Sequence, residues 1–385
     1  MTSILIRKIL RDNWSFLLVV GLLLFAFEGL WARVTYQVYE DFDKLGQLVN
    51  QEAERLITKA NKAGKVEEQD LLQTIQRVKE NLSPEKWEQI KTVFTLETIQ
   101  EIMEAIGPRP NELMAKGGFG DKTLTTNLAS PKQKEEFDRL VKEFQKKFLE
   151  QGSGKLVQAL IGGDNIQLNQ TAHILSIGYV HPLVQIMLCI WAIGRAAGTI
   201  AGEIDRGTME LLLGQPIPRW RILYSHFLAD WLTIPVLCLA MWFGALAGCG
   251  LMDWLSDRTM WDANVYLTLF PAASIHVAAL LYAVSGYTTW LSAAGRMRNR
   301  VMGISVVVTL LQFLVDVIGQ IWADVNMFRP FTVFYYYNPQ AIITSPEWYA
   351  NWTVWSNLSI LLSVGLVGYG LALWKFETRD IPAPL

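Results

Sequence analysis

The sequence predicts an all-α polytopic membrane protein, with six transmembrane helices and a mostly helical external domain between the first and second. Three observations predict it. Hydrophobic residues make up 51% of the 385 and charged residues only 18%, which is apolar for a soluble chain. The charge is concentrated between residues 40 and 170, where Lys and Glu alternate closely, as on a solvated helical surface. On either side lie apolar runs approaching the roughly 20 residues that a helix needs to cross the hydrocarbon core of a bilayer.

These runs extend from about Trp14 to Thr35, Ile174 to Ile200, Ile222 to Leu251, Val265 to Leu291, Val301 to Trp322 and Trp352 to Trp374. Ahead of the first, Ile4, Leu5, Ile6, Ile9 and Leu10 are interleaved with Arg7, Lys8 and Arg11. Such a basic amphipathic stretch suits a membrane interface, held by apolar contact and anionic lipid. No small-x-small cleavage site follows it, so residues 1–35 read as an interfacial helix and an uncleaved first span rather than a signal peptide.

Lys and Arg in short loops set the orientation. With the N-terminus inside, the cytoplasmic side receives Arg7, Lys8, Arg11, Arg206, Arg219, Arg221, Arg296, Arg298, Arg300, Lys375 and Arg379, and the other side only Arg258 and Arg329. The expectation is a multi-pass protein of the plasma (inner) membrane with both termini cytoplasmic. Residues 36–173 then form the external domain. Its apolar residues recur at helical spacing around Leu45 to Leu56, Leu71 to Val78, Ile99 to Ile106 and Phe137 to Phe148. Ser83-Pro84-Glu85 reads as a helix start, and Lys116 to Gly120 as a glycine-rich loop. Residues 174–385 carry the remaining five spans and a cytoplasmic loop at 201–221.

Composition also excludes classes of function. A net charge of -2 with no basic face gives no footprint for nucleic acid. Cys189, Cys238 and Cys249 lie inside apolar runs without zinc or disulfide spacing. His173, His181, His226 and His276 show no ligand spacing, so no metal is expected. The aromatic stretch from Met327 to Trp352 has two readings, an interfacial or re-entrant segment and a substrate-binding lip.

The loop reads Gly202-Glu203-Ile204-Asp205-Arg206-Gly207-Thr208-Met209-Glu210-Leu211-Leu212-Leu213-Gly214-Gln215-Pro216-Ile217-Pro218-Arg219. A charged cluster leads into a short amphipathic run, a Pro-x-Pro break and the basic start of the next span. Joined to two membrane helices, such a segment can pass rigid-body motion from a partner to the spans. In this it resembles the type-2 ABC exporter permeases, whose motif runs acidic residue, Gly-Thr, acidic residue, leucine run, Pro-hydrophobic-x-Arg. Glu203, Gly207, Thr208, Glu210, Leu211, Leu212, Pro216 and Arg219 follow that order, with Arg206 in the charged cluster. Phe376-Glu377-Thr378-Arg379-Asp380 resembles the family's ending. Tyr224-Ser225-His226-Phe227 departs from it, since the family often has a Lys early in the third span.

The resemblance implies a permease subunit of an ATP-driven exporter, working as a dimer with a second copy or a paralogue and docked through this loop on a separate cytoplasmic ABC ATPase. ATP and magnesium would belong to that ATPase, and this chain would hold no cofactor and no catalytic residue. Consistently, Gly152-Ser153-Gly154-Lys155 fails as a phosphate loop: Leu149 stands where the pattern needs Gly, and Leu156 where it needs Ser or Thr. Mechanotransmission to an external partner, or reception of a ligand by the external domain, are the rival readings. Inside the spans, Glu28, Arg195, Asp230, His276 and Asp316 are ionisable, and such residues are costly in a membrane. Glu28, Arg195, Asp230 and Asp316 are candidates for a polar translocation path. The alternative is pairing by depth, Asp230 with Arg195 and Glu28 or Asp316 with Arg33.

Overall fold

The computed structural model describes residues 2–63, 171–256, 265–345 and 347–379, with a few positions between 73 and 80. Residues 1–34 and 172–385 belong to one compact unit and most of 35–171 to another. The expected external helices around Ile99 and Phe137, the Ser83 helix start and the glycine-rich loop lie outside the described residues.

Helix α1 runs without a break over Thr2–Ala63, so the basic amphipathic stretch and the first span are one helix that also includes the Leu45 to Leu56 repeat. The second span is two helices, α2 (Thr171–Val180) and α3 (Pro182–Ala197). Pro182 has no N–H to bond backward and its ring crowds the preceding turn, so it begins a new helix. His181 caps that helix, its Nδ1 accepting from Leu183 N at 3.3 Å. Two short helices follow, α4 (Ala201–Asp205) and α5 (Met209–Leu213), then the third span α6 (Arg219–Ser256). A π-helical turn at Val265–Leu269 leads into α7 (Phe270–Ala294), and α8 (Arg298–Ile321) is the fifth span. The aromatic stretch forms α9 (Ala323–Asn326), α10 (Gln340–Ile343) and three 3₁₀ turns before the last span α11 (Trp352–Thr378).

Six segments are long and apolar enough to cross a membrane: Ser3–Glu40, Thr171–Ala197, Arg219–Leu255, Leu267–Ala294, Arg298–Ile321 and Trp352–Thr378. Among the described residues there is no strand. The chain is an all-α polytopic membrane protein.

Helix α7 is the centre of the bundle, buried along most of its length and packed chiefly on α11. Gly286 of α7 meets Gly365 and Gly368 of α11 so closely that a Cβ on any of the three would run into the facing helix. Apolar helices gain no hydrophobic advantage from one another in lipid, so backbone approach over small residues is what holds such a pair. Helix α8 is the opposite case. Ile304, Val307, Leu311, Leu314 and Ile318 recur along one exposed face, the stripe that lipid would cover.

The aromatic stretch folds back onto the bundle. Val333, Phe334, Tyr337, Ile342 and Ile343 enter the main apolar core, and the Tyr337 hydroxyl donates to Tyr179 O at 2.6 Å. Phe331, Tyr349 and Trp352 stay exposed.

Candidate coupling surface

Helix α3 ends at Ala197, where the chain turns into α4. A helix end leaves backbone groups without partners, and Ser292 of α7 supplies them. Its hydroxyl donates to Ala197 O at 3.0 Å and accepts from Ile200 N at 3.1 Å and Ala201 N at 3.0 Å. That uses the one donor and two lone pairs a serine has. The second span, the loop and the fourth span are therefore pinned at one atom.

Glu203 in α4 is buried. Its carboxylate accepts from the Thr208 hydroxyl and from Arg206 Nη2 at 2.7 Å, and Lys8 Nζ of α1 lies 3.7 Å away. Thr208 N also donates to Glu203 O at 3.0 Å. The turn between α4 and α5 is made by Gly207 at φ 70°, a left-handed conformation that costs other residues strain. Met209 then points into a small apolar cluster with Ile200, Ile222, Leu223, Ala293, Ala372 and Phe376. Glu210 and Leu211 face away from it and are exposed, Leu211 by 73%.

After the Pro216–Pro218 turn, Arg219 opens α6. Its Nη1 donates to Phe376 O at 2.9 Å and Arg379 O at 2.7 Å, and its guanidinium lies over the Phe376 ring at 5.7 Å. A cation at the last carbonyls of a helix is favoured both by hydrogen bonding and by the helix dipole. Arg379 repeats the device one helix over, donating through Nη1 to Ala293 O at 2.8 Å and Gly295 O at 2.7 Å. Two motifs separated by 157 positions in sequence thus close on each other.

Behind this surface, Arg195 Nε sits 2.9 Å from Asp230 Oδ1, with both side chains buried. Tyr369 Oη donates to Asp230 Oδ2 at 2.5 Å, and Arg195 Nη2 donates to His226 O at 2.7 Å. The second, third and last spans meet in this network. Phe227 packs edge-on against Tyr369, ring centroids 5.3 Å apart, so His226 and Phe227, where the resembled family often has a Lys, brace it.

Of the four candidate path residues, the structure joins Arg195 and Asp230. Asp316 does not meet Arg33; it pairs with Arg329 Nε at 3.0 Å and accepts from Gln320 Nε2 at 2.9 Å, because the aromatic stretch brings Arg329 back onto α8. Glu28 is buried without a hydrogen bond to either oxygen, beside Gly178 and Trp31. Glu203, a residue of the coupling motif, is turned inward. Ser292 and Tyr369 make contacts that no local pattern in the sequence signals, and Lys8, one of three cations in the basic amphipathic stretch, gives no sign there that it meets Glu203.

Residues 6–381 match the ABC-2 family transporter protein family. The chain belongs to that family. It is therefore a permease subunit of an ABC transporter, the transmembrane component that partners an ABC ATPase subunit. No curated protein and no solved structure is similar enough to match.

Proposed function

We infer that this ABC-2 permease is the membrane half of an exporter, and that α4 and α5 receive the motion of the ATPase. One observation carries the reading. The loop is fused to the second and third spans and tied by Ser292 to the fourth and by Arg219 to the last, which Arg379 joins to the fourth, while Glu210 and Leu211 are left exposed at its tip. These ties give a push on the tip a direct route to the spans. The Lys and Arg asymmetry supports a cytoplasmic position for this end and both termini, in the plasma membrane. The resemblance to type-2 exporters supports outward transport and a dimer with the path between the two halves.

The test is a tip variant, Glu210→Lys with Leu211→Asp. Both side chains are exposed, so insertion and thermal unfolding should be unchanged. A charge reversed in a desolvated contact costs about 2–5 kcal/mol, roughly 30-fold or more in affinity. The expected result is loss of the ATPase on co-purification in detergent. A variant that keeps its ATPase and full coupled hydrolysis would show that the tip is not the docking point.

A further inference from the structure

A cavity of about 450 Å³ opens beside α4, between the N-terminal turns of α1, the end of α3 and the start of α8. Its lining is mixed: it includes Lys8, Arg206, Arg298 and His226, with Asp12 and Glu203, and also Phe16, Ile190, Met302 and Val306. We propose that this cavity holds an anionic phospholipid from the leaflet at the basic end of the bundle, its phosphate on Arg298 and Lys8 and its first acyl carbons along Phe16, Ile190, Met302 and Val306.

The polar lining has donors to spare. Arg298 donates through Nη2 to Gly194 O at 3.1 Å, but its Nε is buried with no hydrogen-bond partner. Lys8 reaches Glu203 only at 3.7 Å, leaving most of its three donors unspent. Arg206 is held by Glu203 at 2.7 Å and Asp12 lies 3.9 Å from Arg11 Nε, so neither carboxylate faces the cavity with its charge uncompensated. A phosphate offers several acceptors to such a fork and ammonium. The apolar lining is partly exposed, Ile190 by 52% and Val306 by 45%, a surface that a soluble anion would not use and an acyl chain would. A lipid seated here bridges α1 to α3 and α8. This holds whether or not α5 is the ATPase contact.

The experiment is native mass spectrometry of the full chain in detergent, titrated separately with dioleoyl phosphatidylglycerol, dioleoyl phosphatidylcholine and inorganic phosphate. One phosphatidylglycerol per chain should be retained about tenfold more tightly than phosphatidylcholine, the scale of one charge-assisted hydrogen bond. Arg298→Gln should remove that preference and Arg298→Lys should keep most of it. Ile190→Trp fills the apolar half, leaves the cations alone, and should weaken phosphatidylglycerol as well; it carries the test if Arg298→Gln does not fold. Equal retention of the two lipids, or an unchanged preference in Arg298→Gln, overturns the proposal. So does displacement by millimolar phosphate together with a neutral Ile190→Trp, which would mark a site for a free anion.

Discussion

Two arginine–carboxylate pairs of nearly equal length sit in this bundle, Arg195–Asp230 at 2.9 Å and Arg329–Asp316 at 3.0 Å. The first joins residues from different spans, has almost no exposed atom, and is extended by Tyr369 from a third span. The second is local, 13 residues apart, with the arginine side chain 23% exposed and further held by Asn326 and by the Tyr335 ring. Distance alone would rank them equal. What separates them is how much solvation each charge gives up and how many helices depend on the answer. A buried charge that loses its partner has neither water nor counter-ion, whereas Arg329, 23% exposed beside a buried Asp316, recovers part of what it lost.

The largest effect should therefore come from Asp230→Asn. The amide still accepts from Tyr369 but leaves the Arg195 guanidinium as an uncompensated buried charge, at a cost of about 3–5 kcal/mol. The measurement is thermal or denaturant unfolding of the purified protein in detergent. Replacing both partners, Arg195→Met with Asp230→Leu, should restore most of the loss, since an apolar pair of similar volume needs no desolvation. A single variant as stable as the parent would show that the pair is hydrated and that the comparison with Asp316 fails.

Next comes Glu203→Gln. The amide preserves the shape and can still accept from Thr208, but it loses the ionic part of its bonds to Arg206 and Lys8. Hydrogen bonds to charged groups contribute about 1.5–3 kcal/mol, and Arg206 is half exposed, so a loss near the lower figure is expected. Because the loss is local, the readout is hydrogen exchange of the amides from Ile200 to Leu213, which should speed while those of α7 do not. Uniform speeding across the bundle would mean that Glu203 supports the whole fold rather than the turn around Gly207.

The difference between what sequence reasoning reached and what it missed follows the same line between local and long-range. The spans were legible because the hydrocarbon core imposes a length that any apolar run of about 20 residues reveals. The break at His181-Pro182 was also local, but counting apolar residues across it hid the helix start that Pro182 marks. The pairing of Arg195 with Asp230 could be guessed from depth. The same argument failed for Asp316, because depth does not say that residues 327–343 fold back and carry Arg329 with them. The surroundings of Glu203 are hidden for a similar reason: Arg206 and Thr208 are local, but Lys8, 3.7 Å from its carboxylate, lies 195 positions earlier. The bonds of Ser292 and Tyr369 exist only once helices cross, and a lone polar residue in a span carries no mark of its partner.

The smallest effect should come from Asp316→Asn, which sharpens the comparison most directly because the substitution is the same as at Asp230. The asparagine oxygen can replace Oδ1 as an acceptor for Arg329 Nε, so the hydrogen bond survives and only the ionic part is lost. Its amide nitrogen then faces Gln320 Nε2, donor against donor, and a flip of the Gln320 amide relieves that. Arg329 keeps its other contacts, the Asn326 side-chain oxygen and the Tyr335 ring, and at 23% exposure water screens part of the charge. The expected loss is about 1 kcal/mol or less, a small fraction of that at Asp230, in the same unfolding experiment. Equal losses at the two sites would mean that burial does not decide the strength of these pairs. In that case the aromatic fold-back at residues 327–343 depends on the Arg329 ion pair rather than on the apolar core of Val333, Phe334, Tyr337, Ile342 and Ile343.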